Sequence, residues 1–434
     1  MYSDEQIKAA ALLGLILLRR RQNRRRRYRK KRTIWVRKWI QNRSRYGATN
    51  TLLKELREGD EAFYKNFLRL SSNDFDYLLE KITPLIQKKD TFMRKAITLA
   101  ERLVVTLRYL ATVKVCALRK KIILGDSFQS LMYLFRIPTN TLSQIIPEVC
   151  KAIYDVLKDD YLKMPNTEAE WTKIADDFNT KWNFPNCLGS LDGKHINIKA
   201  PPNSGSLYFN YKGAHSIVLM ALADANYKFT YINVGSPGRD SDGGVYSNCS
   251  LADAVTNNLL NIPNERPLPG RSTAVPFVFV ADDAFALQPH IMKPFAFRNQ
   301  SIQERIFNYR LSRARRIIEN VFGICSARFR ILRRSVELVP KKMKIIVCAI
   351  AALHNFIMSR KESANMYAPQ GTFDVENEDG TIIRGNWRNE ENSQHFVPLE
   401  RIPRGISLEA KNVRDEYKNY FCREGEVPWQ RNYI

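Results

Sequence analysis

"CLGSLDGKHINIKAP", residues 187–201, is the stretch on which the reading of this chain turns. An apolar run ends in Asp192, continues as Gly193-Lys194-His195, and becomes apolar again. An Asp followed by Gly is most often a turn, because Asp bonds its own backbone and Gly takes positive φ. Read that way, Asp192 ends one short strand and Gly193 turns the chain into the next. The alternative keeps Asp192 at the rim of a sheet as a metal ligand. What lies downstream has to decide.

Further strands are expected at "SIVLMALAD", "KFTYINVG" and "PFVFVAD", all short, β-branched or aromatic, and bounded by Gly, Pro or Asp. Three more acids share this setting. Asp242 lies in the Gly-rich loop "VGSPGRDSDGG", Asp282 closes "PFVFVAD", and Glu319 sits within "RLSRARRIIENVFG" on a helix expected over about 309–330. The steps from Asp192 are 50, 40 and 37 residues (242 − 192, 282 − 242, 319 − 282), so only a fold could bring them together. Singly, each has an ordinary reading as a turn residue. For Glu319 that reading is a helix pair with Arg315 or Arg316, worth about 0.3–0.5 kcal/mol.

Together, strand-end aspartates and a helix glutamate suit hard divalent ions, which prefer carboxylate oxygen. Two such ions about 3.5–4 Å apart can clamp the attacking and leaving oxygens of a phosphodiester. Between Arg310 and Arg334 there are eight arginines, and Glu319 is the only acid. Such a basic setting would hold a polyanion that the carboxylates repel. Arg315, Arg316, Lys194 and Lys212 (in "YKGAHS") are the candidate phosphate contacts. His195 reads equally as a strand histidine with a backbone partner, and "ALHNF" reads as structural packing.

The chain has 434 residues, 44% of them hydrophobic, which is ample for a sizeable core. Its formal net charge is +25, and Arg19 to Arg45 supplies 15 basic side chains with no acid, leaving +10 (25 − 15) for the rest. A basic arm of this kind serves nuclear import and nonspecific phosphate binding, and an RNA-binding tail would look the same. The expected location is the nucleus, with the cytoplasm as a second compartment. Seven cysteines stand singly with no CxxC, which argues against a zinc module and fits a reducing compartment. The apolar run Ile7 to Leu18 spans 12 residues, too short to cross a bilayer, and is expected to be an ordinary amphipathic or buried helix without stable membrane association.

Residues 1–49 are thus expected to be the arm, and 50–170 a helical domain. In "GDSFQSLMYLFRIPTNTLSQIIPEV" two helices meet at a short turn near Pro138, with Ser72 and Asn73 capping an earlier helix. This is helix-turn-helix spacing, and Asn140, Thr141, Ser143 and Gln144 decorate the second helix. Residues 180–360 form an α/β domain with a mixed sheet. Residues 361–434 contain a polar flexible segment, Glu362 to about Gln394, and a C-terminal tail.

"GSLDGKHINIKAP", "NYKGAHSIVLMALADANYKF", "GSPGRDSDGGVY", "FVADDAF", "NYRLSRARRIIENVFG" and "ALHNF" occur in an order and spacing that resemble the PIF/Harbinger transposases and the nucleases domesticated from them. The resemblance is close from about Asn186 to Phe356. It implies an RNase H-like DDE nuclease core with a divalent-metal site (Mg²⁺ or Mn²⁺), preceded here by the helical, helix-turn-helix-like region. Matched by position, Asp192, Asp282 and Glu319 become the catalytic acids and Asp242 a further metal ligand. The implied function is metal-dependent cleavage of DNA, with strand transfer open. The implied partner is a separate Myb/SANT-like DNA-binding protein, and oligomer formation is compatible. "VKVCALRKKIIL", Val113 to Leu124, departs from the family pattern and falls in the helix-turn-helix region. The competing reading is a noncatalytic DNA-binding or adaptor protein that keeps the nuclease fold as scaffold.

Overall fold

The computed structural model of the protein describes residues 4–27, 36–92, 95–112, 115–116, 123–124, 128–240, 242–377, 381–390, 396–398 and 407–433. The first helix, α1 (Asp4–Arg27), contains the apolar run, but Leu12, Leu13, Leu15, Leu17 and Leu18 are exposed. The expectation of a buried or amphipathic helix fails because consecutive leucines place apolar groups on every side, and no single stripe faces a core. No single described helix is long and apolar enough to cross a membrane.

The expected arm ends earlier than residue 49. Ile40 and Ala48 are buried, Arg43 pairs with Glu101 at 3.1 Å, and the Ala48 amide donates to the Leu134 carbonyl. Residues 28–35, within the basic block, lie outside the described residues.

The helical region contains α2 (Ser72–Ile86), α3 (Leu99–Ala111), α4 (Phe128–Phe135) and α5 (Thr139–Tyr161). Ser71, rather than Ser72 or Asn73, caps α2 by accepting from the Asp74 amide. Thr98 and Glu101 form a reciprocal capping box on α3. Within the departing segment, Val115–Cys116 pairs antiparallel with Ile123–Leu124, while its other residues lie outside the described ones. Tyr109 of α3 stacks on Phe128 of α4 at 5.2 Å, so the two helices pack despite the segment between them. The α4–α5 turn passes through Arg136, which adopts a left-handed φ of 55°.

After α6 (Glu168–Trp182) comes the sheet. Its strands are β1 (Cys187–Asn197), β2 (Ser216–Ala223), β3 (Phe229–Pro237), β4 (Val278–Val280), β5 (Ile291–Met292) and the short β6 (Phe396–Pro398). Their order is β3-β2-β1-β4-β5, with β6 pairing β1. β2 pairs antiparallel with both β1 and β3, whereas β4 runs parallel to β1 and β5 parallel to β4. Apolar layers cover both faces. On one lie α7 (Ile302–Arg328) and α8 (Pro340–Met358); on the other, Trp171 of α6 meets Phe279 of β4 edge-on at 6.0 Å. The first of these layers is continuous with the helical region, running from Ala48 to Phe421. Last, α9 (Leu408–Phe421) packs back on α7 through Phe421 and Phe307.

Candidate active site

The turn reading of Asp192 does not hold. The two strands expected on either side of it are one, β1, and Gly193 is an ordinary rung paired with Met220 of β2. What is special about Asp192 is the opposite edge of β1. There β4 pairs along Cys187 to Ser190 and β6 along Lys194 to Ile196. Residues 191–193 lie between those two partners, and among the described residues nothing pairs with them on that edge.

Alternation along the strand puts Ser190, Asp192 and Lys194 on one face. That face looks at α7: the Ser190 hydroxyl donates to the Arg315 carbonyl at 3.2 Å, and the Lys194 ammonium sits 5.8 Å from the centre of the Phe322 ring. Glu319 lies on α7 between these two contacts. In the register, Ser190 stands beside Val280, so two further residues along each strand bring Asp192 and Asp282 level. Val278, Val280 and, by continuation, Asp282 share the α7 face.

The electrostatics record this crowding. Asp192 is 5% exposed, accepts from the Gly193 amide at 2.8 Å and pairs with the Lys194 ammonium at 3.3 Å. Burial, and then the charge of Asp192, push the Asp282 carboxyl up to about 6, against the opposing pull of Arg315. Its side chain accepts from the Ala284 amide at 3.0 Å. Burial alone would push the Lys194 ammonium down. The carboxylates of Asp192, Glu319 and Asp282 outweigh it and hold that ammonium above its ordinary value. Glu319 itself pairs with Arg315 at 3.7 Å and with Arg388 at 3.6 Å.

Among the described residues, no three Asp, Glu, His or Cys side chains stand close enough to hold one metal ion. The acids are instead gathered about cations of the protein: Lys194 for Asp192, Arg315 and Arg388 for Glu319. The donor chemistry nonetheless fits a hard divalent ion. All three groups are carboxylates, and the ionisation of one is opposed by its neighbour's charge, which a bound cation would relieve.

The other candidates are placed differently. Asp242 opens the short helix Asp242–Ser247, whose Val245 and Tyr246 belong to the layer on the sheet face opposite α7; the Asp242 side chain lies outside the described residues. Lys212 is exposed, beside the Tyr211 ring. Arg316 is buried against Glu376 at 3.1 Å and has no open surface for a phosphate, which corrects its reading as a DNA contact. Arg313 pairs with the same Glu376 at 2.9 Å, and Arg310 lies over the Phe421 ring and donates to the Gly425 carbonyl. Of the four arginines preceding Glu319, only Arg315 reaches it. His195 is a buried strand histidine, but its Nδ1 partner at 3.0 Å is the Ser216 side-chain hydroxyl rather than the backbone group expected. In the helical region, Thr139, Asn140, Thr141 and Gln144 line a cleft together with Arg37, Lys88, Lys89 and Lys95.

Sequence reasoning missed Asp374, Glu376, Trp387 and Arg388, because the segment holding them reads as polar and flexible. It is docked on α7 instead. Trp387 is 4% exposed, and its indole donates to the Asn320 side chain at 2.8 Å. A lone tryptophan in a polar stretch was the available signal.

Residues 191–355 match the family described as DDE superfamily endonuclease. The protein named "Protein ALP1-like" of Arabidopsis thaliana is 23% identical over 311 residues, 70% of this chain and 72% of its own. "Putative nuclease HARBI1" of Xenopus laevis is 24% identical over 263 residues, 60% of this chain and 67% of its own. The Bos taurus protein of that name is 24% identical over 279 residues, 64% and 70%. No solved structure matches the chain significantly. These findings bear out the resemblance to Harbinger transposase-derived nucleases and support a DDE-type nuclease; the scaffold-only alternative is not favoured.

Proposed function

We propose that this chain is a metal-dependent DNA endonuclease whose RNase H-like core carries Asp192, Asp282 and Glu319 as its catalytic acids. The reading is carried by the parallel register of β1 and β4, Ser190 beside Val280, which continued two residues past the end of β4 brings Asp282 level with Asp192 on the face covered by the helix bearing Glu319. The strand order β3-β2-β1-β4-β5, with three antiparallel strands followed by two parallel ones, supports the RNase H-like assignment.

Asp192 and Asp282 would hold a divalent ion, Mg²⁺ or Mn²⁺, with Glu319 joining once it leaves an arginine. Bound there, the ion supplies Lewis-acid polarisation of the phosphodiester and a more acidic water. Lys194 keeps the two strands' acids compatible with burial, and Arg315 offers a cation on the side from which a phosphate would approach. Whether a DNA 3′-hydroxyl can replace water, giving strand transfer, is a property of the bound DNA ends. The basic cleft at the start of α5 is a suitable seat for duplex phosphates, the arm a suitable nuclear-import signal, and a Myb/SANT-like protein a suitable source of sequence preference.

Purified protein should nick plasmid DNA with Mg²⁺ or Mn²⁺, and Asp192→Asn, Asp282→Asn or Glu319→Gln should each reduce nicking to the metal-free background. Equal nicking by wild type and these variants would refute the assignment.

A further inference from the structure

Residues 371–377 and 381–388 strap across α7 at the level of Glu319. Asn320, the next residue in the helix, accepts from the Asp374 amide at 3.1 Å and from the Trp387 indole at 2.8 Å. One turn on, Gly323 receives the Trp387 ring, and a Cβ at that position would lie 2.3 Å from it. On this seat the guanidinium of Arg388 stacks 4.4 Å from the Trp387 ring centre. Its Nε lies 2.9 and 3.0 Å from the two Asp374 carboxylate oxygens, and its Nη2 lies 2.5 Å from Oδ2. The same Nη2 stands 3.6 Å from Glu319 Oε2.

These contacts are unequal. Arg388 is fixed to Asp374 by hydrogen bonds, and Asp374 is 3% exposed. Its approach to Glu319 is an ion pair beyond hydrogen-bond length, made to a carboxylate that is partly exposed. The firm end of the bridge is the strap, and the exchangeable end is the catalytic acid.

We propose that Arg388, seated on Asp374 and Trp387, is a displaceable counter-ion for Glu319 that a divalent cation must replace before the three acids can act together. The inference rests on the reading of Glu319 as a metal ligand. It makes Arg388 and Asp374 positioning residues of the site, and it explains why the carboxylates are dispersed over cations of the protein rather than gathered on one point. Neutralising Arg388 removes a positive charge close to the incoming ion, so it should strengthen metal binding. A merely structural role would weaken it.

The test is Mn²⁺ affinity of the full chain by isothermal titration, without DNA. Wild type should bind, and Asp192→Asn should lose binding. Arg388→Gln should bind roughly three- to tenfold more tightly, while Arg388→Lys, which keeps the charge, should stay near wild type. Because Arg388→Gln leaves Asp374 buried without its cation, the double variant Asp374→Asn/Arg388→Gln is measured beside it, and tighter binding is expected there too. Unchanged or weaker binding in folded Arg388→Gln and in the double variant would overturn the counter-ion role and leave the nuclease reading standing. No Mn²⁺ binding by wild type, or binding untouched by Asp192→Asn, would overturn both.

Discussion

His354 is held neutral by burial. Its Nε2 donates to the Tyr227 carbonyl at 2.8 Å, and its Nδ1 accepts from the Tyr367 hydroxyl at 3.1 Å. Removal from water pushes its pKa down to about 4. The unfolded chain would take up a proton near pH 6.5 and the folded one only near 4, so stability is full above 6.5 and is lost as pH falls towards 4. The loss amounts to roughly 3 kcal/mol for this group. Urea unfolding of His354→Gln across that window should show a flatter pH dependence than wild type. His195, also pushed down to about 4 by burial, retains its own share of the slope. A slope identical to wild type would remove His354 from this role. Asn355 beside it supports the packing reading of "ALHNF": its side chain accepts from the Phe229 amide at 2.9 Å and donates to the Phe229 carbonyl at 2.7 Å.

The arginines before Glu319 show where local reading stops. Four cations and one acid in a row suggest a surface for a polyanion. Their balance lies far along the chain, in Glu376, which is buried between Arg313 and Arg316 and also accepts from the Tyr309 hydroxyl. Charge pairing across sixty residues leaves no trace in a local window (376 − 316). Asp192 and Asp282 stood out in the sequence because a carboxylate next to an apolar strand run needs an explanation that its neighbours do not give.

At the scale of elements, β1 was legible as strand and illegible as a single strand. Asp-Gly in mid-run carries a turn signal, yet β2 pairs with every residue from Ser190 to Asn197 and holds Gly193 extended. Tertiary pairing overrides the local preference. The strap on α7 was missed for a related reason: its composition is polar, and among its described residues Trp387 alone is a large buried apolar group. Gly323 is its receptor. Alanine would favour the helix by about 1 kcal/mol, but its Cβ would stand 2.3 Å from the indole. Gly323→Ala should therefore destabilise the protein by about 1–3 kcal/mol and speed limited proteolysis between Gly371 and Glu390. Stabilisation with unchanged cleavage would show that the indole does not depend on that space.

At the scale of the whole molecule, the sheet does what no segment can. Asp192 and Asp282 are 90 residues apart in sequence (282 − 192) and level with each other because β1 and β4 are parallel neighbours. The charge is organised on the same scale. A chain of net charge +25 sets Asp192 and Asp282 on the sheet face under α7 and leaves a basic cleft at the helical end. Asp192 and Glu319 each pair with a cation of the protein, so on the proposed reading metal entry would be an exchange of counter-ions. The most direct test is the anomalous scattering of crystals grown with Mn²⁺. The expected result is a peak between the Asp192 and Asp282 carboxylates, with Glu319 turned from Arg388 towards it. A fully soaked crystal with no peak there, or with Mn²⁺ bound only elsewhere, would contradict a DDE metal centre in this chain.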